Sequence, residues 1–263
     1  MNVAGKVVAV TGGARGIGRA LARRFAHEGA RHVAVADLDE AGVRAVATEL
    51  RGSAMRVDVS HEADVATFID TTERTHGPID LFCSNAGILT GQGIEASDEV
   101  WQRTWEVNVR AHLYAARAVL PSMLSRGSGY LMQTCSAAGL LTAVGDAPYS
   151  VTKHAAVGFA EWLAIEYGGR GIKVSALCPQ GVDTPMLTDG LEQGHVGARV
   201  TAASGSVLTP DQVADAAVAG IADERFLILP HPEVATYFGN KAADHDRWLA
   251  GMRRLASSYS RSP

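Results

Sequence analysis

Seven short apolar runs, separated by segments of helical length, constrain this chain more than any other feature. The runs fall at Lys6–Val10, His32–Ala36, Ala54–Val57, Ile79–Ser84, Tyr130–Thr134, Lys173–Leu177 and Phe226–Leu229. Between them lie amphipathic stretches at Gly16–Glu28, Glu40–Arg51, Glu62–Thr75, Asp98–Ser125, Tyr149–Tyr167 and Pro210–Ala222. A strand that is apolar throughout must be covered on both faces, and a helical crossover leaves its neighbour parallel. The expected fold is therefore α/β: a doubly wound parallel sheet of about seven strands, helices on both faces, right-handed crossovers. No Pro-, Ser- or charge-rich linker and no repeat interrupts the 263 residues. Residues 1–263 are accordingly expected to form one Rossmann-like dinucleotide-binding and catalytic domain. Thr184–Thr209 stands apart. It is rich in Gly, Ala, Ser and Thr with weak periodicity, and is expected to be a mobile excursion placed where a substrate lid could lie.

The charge balance narrows the partners. Net charge is −4, and no basic stripe suggests nucleic acid. No apolar run reaches membrane-spanning length, and the N-terminal run breaks at glycines too early for a signal segment. Cys83, Cys135 and Cys178 are odd in number and sit in or beside apolar runs, which suits buried reduced thiols in a cytoplasmic protein.

The first strand ends in a glycine cluster, T-G-G-A-R-G-I-G from Thr11 to Gly18. Glycines there let the backbone turn sharply, and the helix that follows offers free N–H groups to a pyrophosphate. Asp37 closes the second strand, 19 positions after Gly18. A carboxylate there can accept hydrogen bonds from ribose hydroxyls and repels a 2′-phosphate. Asp39 is available as the helix cap instead.

The spacing T-G-x-x-x-G-x-G resembles that of the short-chain dehydrogenase/reductase family. The resemblance covers roughly residues 4–190, and further segments share it. S-N-A-G at 84–87 resembles the family's N-N-A-G, with Ser84 in place of the first Asn. V-D-V-S at 57–60 places Asp58 and Val59 where the family contacts adenine. Asn108, Ser136, Tyr149 and Lys153 fall at the family's tetrad spacing. The resemblance implies that Gly12, Arg15, Gly16, Ile17, Gly18, Asp37, Leu38, Asp58, Val59, Asn85, Ala86 and Gly87 hold the cofactor. Tyr149 and Lys153 would join them at the nicotinamide ribose, and Asn108 would sit at a helix distortion and hold a water on a proton relay to the lysine. P-Q-G-V-D-T at 179–184 resembles the segment that wraps the nicotinamide. Pro179, Val182 and Thr184 match, while Gln180 replaces the usual glycine and would take an unusual backbone conformation or reach the pocket. NAD is favoured by Asp37 over NADP, which Arg15 would suit.

The chemistry of the Tyr–Lys pair is legible without the family. Residues i and i+4 share a helix face. A free tyrosine has a pKa of about 10. A lysine beside it, and the helix N-terminus under it, favour phenolate. The expected function is hydride transfer between NAD and a hydrophobic secondary alcohol or ketone, with Tyr149 as general acid/base and Ser136 holding the substrate oxygen. An NADPH-dependent 3-oxoacyl-thioester reductase is the enzymatic alternative, and a catalytically silent NAD-binding sensor or scaffold the other. The substrate walls are expected from Ile88, Leu89, Leu140, Leu141, Val144, Met186 and Leu187, with no Arg or Lys in 140–147 or before Arg199 in 184–209. The 231–255 stretch reads as an amphipathic helix. Trp101, Trp105 and Trp162 suit core or subunit packing, and Arg19, Arg23 and Arg24 a solvated face. The helices 98–125 and 149–167 imply, by the resemblance, a homotetramer or homodimer. His231 and His245 lack partners for a metal, and none is assigned.

Overall fold

In the computed structural model, which describes residues 1–260, all seven apolar runs join one sheet. The strands are β1 (Val7–Thr11), β2 (His32–Asp37), β3 (Ser53–Arg56), β4 (Leu81–Ser84), β5 (Gly129–Thr134), β6 (Ile172–Leu177) and β7 (Leu227–Ile228). Their order is β3-β2-β1-β4-β5-β6-β7, and every pairing is parallel. The order reverses beside β1, where the chain crosses from one half of the sheet to the other. That reversal opens a crevice past the strand ends between β1 and β4.

The strand period of two divides the core. Ala9, Phe82, Leu131 and Ala176 point to one face, beneath α3 (Glu62–His76), α5 (Ala111–Ser125) and α7 (Ala147–Tyr167). Val8, Val10, Leu81, Tyr130 and Leu177 point to the other, beneath α1 (Gly16–His27), α2 (Glu40–Leu50) and α10 (Pro210–Ala222). Cys83, Cys135 and Cys178 are free and buried. Arg19, Arg23 and Arg24 lie on the outer side of α1, paired with Glu49, Glu28 and Asp215.

Three stretches differ in detail from a plain reading of the periodicity. The 98–125 stretch is broken where the resemblance implied a distortion at Asn108: α4 (Asp98–Trp105) passes through a π turn at Glu106–Arg110 before α5 begins. A wide turn shifts the side-chain spacing, and such turns cluster at functional sites. The Thr184–Thr209 segment is largely helical, as α8 (Pro185–Glu192) and α9 (Val196–Ala203). Its periodicity is weak because the two short helices meet through small residues, with Gly190 against Ala198. The C-terminal helix is two, α11 (Glu233–Ala243) and α12 (His245–Ser260). They part at Asp244, whose backbone is extended and whose carboxylate accepts the Arg247 N–H at 2.9 Å. A four-residue helix, α6 (Ala138–Leu141), was not foreseen.

Candidate active site

Beyond β1 the chain turns through Gly12–Arg15 into α1. A Cβ on Gly18 would lie 2.0 Å from the Gly12 carbonyl oxygen and 2.6 Å from Asn85 Nδ2, so only glycine lets the turn close. The first turn of α1 holds no acid, and its N-cap, Arg15, makes no side-chain cap bond. Its amide groups and positive dipole end therefore remain for an anion. Asp37 is held across this turn, accepting the Ala14 N–H at 3.1 Å and the Asp39 N–H at 3.2 Å. Asp39 caps α2 through the Gly42 N–H, leaving Asp37 the free edge of its carboxylate. Asn85 ties three strands together. It donates to the Thr11 carbonyl at 3.1 Å and accepts from the Thr134 hydroxyl at 3.0 Å. Asp58 accepts from the Ser60 hydroxyl and pairs with Arg103 at 3.4 Å. Burial pushes its carboxyl up, but the Ser60 bonds and Arg103 outweigh this and hold it low.

One cleft of ≈1450 Å³ gathers these groups. Gly12, Arg15, Gly16, Ile17, Asp37, Leu38, Asp58, Val59, Asn85, Ala86, Gly87, Pro179, Val182 and Thr184 line it, and so do Ser136, Tyr149 and Lys153. Gly18 packs beneath the turn and Asn108 lies behind the wall, fully buried.

Asn108 uses the π turn to face the loop after β4. Its Oδ1 accepts the Ile88 N–H at 2.9 Å, and its Nδ2 donates to the Ile88 carbonyl at 2.8 Å and to Thr152 Oγ1 at 3.1 Å. Lys153 Nζ donates to the Thr134 carbonyl at 2.9 Å and lies 5.6 Å from the Tyr149 ring centre. Gly87 sits between them: a Cβ there would come within 3.3 Å of both Asn108 Oδ1 and Lys153 Nζ. Ser136 has φ 75°, a left-handed backbone that costs a non-glycine residue about 1–3 kcal/mol and is common at functional sites.

The expected lowering of the Tyr149 pKa is absent. Burial pushes the phenol up to about 12, while the Ser136 hydroxyl pulls it down. Burial also lowers Lys153. Desolvation is the largest cause in both shifts.

Four contributors were given no site role from the sequence, Thr11 among them although it opens the glycine motif. Asp146 is buried and accepts from Thr90 N, Thr90 Oγ1, Gly91 N and Tyr149 N at 2.6–2.9 Å. It caps α7 and fastens the loop after β4 to the first turn that carries Tyr149. An acid just ahead of Pro148 was the available signal. Thr152 supports Asn108, and Thr11 Oγ1 accepts the Asn85 N–H at 3.0 Å. His112 lies fully buried with Nδ1 2.7 Å from Ser84 Oγ, so Ser84 in place of the asparagine gains a partner from α5.

The substrate end is walled by Ile88, Leu89, Leu141, Val144, Met186 and Leu187, while Leu140 belongs to the core. Tyr237, Trp248, Met252 and Leu255 from α11 and α12 close the outer side. α12 also brings Arg247 and Arg254 to this cleft.

The family model described as short chain dehydrogenase matches residues 6–194. The chain belongs to the short-chain dehydrogenase/reductase family. It is 33% identical to 1-deoxy-11-beta-hydroxypentalenate dehydrogenase of Streptomyces avermitilis, across 100% of this chain and 98% of that one. It is 38% identical to the sex determination protein tasselseed-2 of Zea mays over 73% of this chain, a match spanning 59% of the maize protein. A short-chain dehydrogenase/reductase from Burkholderia phymatum, solved in complex with NAD, superposes with a TM-score of 0.84 at 28% identity, covering 94% of this chain and 96% of that one. Enzymes of this family act on CH–OH groups, and this chain is a dehydrogenase/reductase of that kind.

Proposed function

We propose that this short-chain dehydrogenase/reductase is NAD-preferring and interconverts hydrophobic secondary alcohols and ketones. The observation that carries the reading is the shared cleft, in which Tyr149, Ser136 and Lys153 open onto the same space as the Asp37-edged glycine turn. When bound, the nicotinamide supplies or takes the hydride. The residues do the rest. The α1 N-terminus and the glycine turn hold the pyrophosphate, and Asp37 holds the adenosine ribose. Lys153 orients the nicotinamide ribose, with Asn108 and Thr152 fixing the wall behind it. Val182 and Thr184 face the carboxamide. Ser136 positions the substrate oxygen, and Tyr149 passes the proton to or from it. The apolar walls exclude water and select an apolar substrate. The Streptomyces relative, matched along the whole chain, is named for a hydroxylated compound.

No helix among the described residues is long and apolar enough to cross a membrane. The three buried free thiols suit the reducing cytoplasm. Self-association completes the reading. Val151, Trp162 and Ile165 stand exposed along one side of α7, with Trp105 exposed on α4, and an apolar face of this kind is a subunit contact.

Titration of the purified protein with NADH and NADPH tests the cofactor reading. NADH should bind at least about tenfold more tightly, because a 2′-phosphate would meet the Asp37 carboxylate. Asp37→Ala should remove that preference. Tighter NADPH binding would assign selection to Arg15 and bring the 3-oxoacyl-thioester reductase forward. Binding of NADH without turnover of any alcohol or ketone would favour a sensor.

A further inference from the structure

One buried histidine has both ring nitrogens engaged with the segment that closes the nicotinamide end of the cleft. His231 is fully buried, three positions beyond the last residue of β7. Its Nδ1 accepts the Gln180 N–H at 3.1 Å, and its Nε2–H donates to the Gly181 carbonyl at 2.9 Å. Serving both requires a neutral ring with its proton on Nε2.

The position follows from where the sheet ends. β6 stops at Leu177 and β7 at Ile228, and the last ladder-like bond beyond them joins Cys178 N to the Ile228 carbonyl at 2.9 Å. Past that point the backbone has no strand beside it, yet its polar groups still need partners. Pro179 O accepts from Ala137 N at 2.8 Å, next to Ser136, and Asp183 N donates to Leu208 O at 2.9 Å. Gly181 O accepts a second bond from Leu208 N at 3.0 Å. The Gln180 N–H falls between these fasteners, and a side chain meets it. Gln180 does not take the left-handed backbone that a glycine position would allow. Gln180 lines the cleft, and its Oε1 is buried without a partner. His231 also stands at the root of the outer wall, since its carbonyl accepts the Val234 N–H at the start of α11.

We propose that His231 is a positioning residue that fixes the Pro179–Thr184 turn for the nicotinamide, through its two hydrogen bonds rather than through packing alone. The inference rests on the reading of this cleft as a nicotinamide-dinucleotide site.

The test compares NADH with ADP-ribose, which keeps the adenosine, both phosphates and a ribose but lacks the nicotinamide. Binding to the wild type, His231→Phe and His231→Gln is measured by calorimetry. In His231→Phe the ring volume stays and both hydrogen bonds go. NADH should weaken about tenfold or more, with ADP-ribose within about twofold. His231→Gln keeps one acceptor and one donor on its amide and should recover most of the loss. If the phenylalanine variant does not fold, His231→Leu carries the same comparison. Equal weakening of both ligands, or no change in either, would overturn the positioning role while leaving the cofactor reading intact. A wild type that binds neither nucleotide nor ADP-ribose would overturn the cofactor reading and this inference with it.

Discussion

At the scale of single residues, protonation is governed by burial. Tyr149 is the proposed proton carrier, and burial holds its phenol at about 12. Tyr149→Phe removes only the hydroxyl. It should leave NADH affinity within about twofold and lower kcat about 10²- to 10⁴-fold, the range expected for a general acid. Steady-state kinetics beside a nucleotide titration check both halves, and a near-normal kcat would take proton transfer away from this residue. His112 shows the same physics with a different consequence. Burial, and then the Lys153 charge, lower it from 6.5 to about 3. A histidine lowered in the folded state takes up protons on unfolding. Stability is therefore complete above about pH 6.5 and withdrawn as pH falls toward about 3, by up to ~5 kcal/mol. His32, lowered to about 4, shares part of that window. The melting temperature of His112→Asn should fall less steeply than the wild type's between pH 6.5 and 4.5. Parallel slopes would mean that His112 is not the group responsible. Nothing in the local sequence marks His112, since a histidine in an apolar stretch reads the same whether it is buried or exposed.

At the scale of elements, the site depends on how helices begin and bend. The α7 helix starts at Ala147 with Asp146 as its cap, and that cap also holds Thr90 and Gly91. Asp146→Ala should cost about 1 kcal/mol for the cap, and ~2–4 kcal/mol in total once the buried amides lose their acceptor. It should also lower kcat/KM, because the first turn carrying Tyr149 loses its anchor. Urea denaturation and steady-state kinetics measure the two effects; a stability loss without a kinetic one would make Asp146 a cap alone. The glycine turn and the Tyr–Lys helix were readable in advance, because turn chemistry and i,i+4 spacing are local. The π turn was not legible from local chemistry; only the resemblance implied a distortion at Asn108. Whether Asn108 sits on a regular or a widened turn depends on Ile88 and Thr152, which belong to other segments. The α8–α9 pair was missed for a related reason: small residues carry little periodic signal until their packing partner is known.

At the scale of the whole molecule, the sheet order gathers the ends of β1, β2, β4, β5 and β6 around one crevice. The two C-terminal helices then close its outer side. The opposite concern is the exposed side of α7, where Ile165 is 82% and Trp162 50% accessible. The tryptophans had been expected in the core or at a subunit contact; Trp105 and Trp162 are not in the core. Ile165→Arg should shift the protein toward a smaller assembly in size-exclusion chromatography with light scattering, with its circular dichroism unchanged. An unaltered mass would place any subunit contact elsewhere.

By itself the sequence determined the order and kind of the elements, the parallel sheet, the glycine turn with its acid, and the identities of the tetrad residues. The elements, sheet and glycine turn rest on periodicity and turn chemistry within one stretch of chain, while the tetrad was implied by the family resemblance. Only the tertiary structure decided that Asn108 spends its amide on Ile88, that Asp146 ties two loops to Tyr149, and that His231 serves a turn 50 positions away. It also decided how deeply Tyr149 is buried, and that burial raises its phenol. Hydrogen-bond partners and local dielectric depend on which distant segments share a buried space, and chain closure alone brings them together.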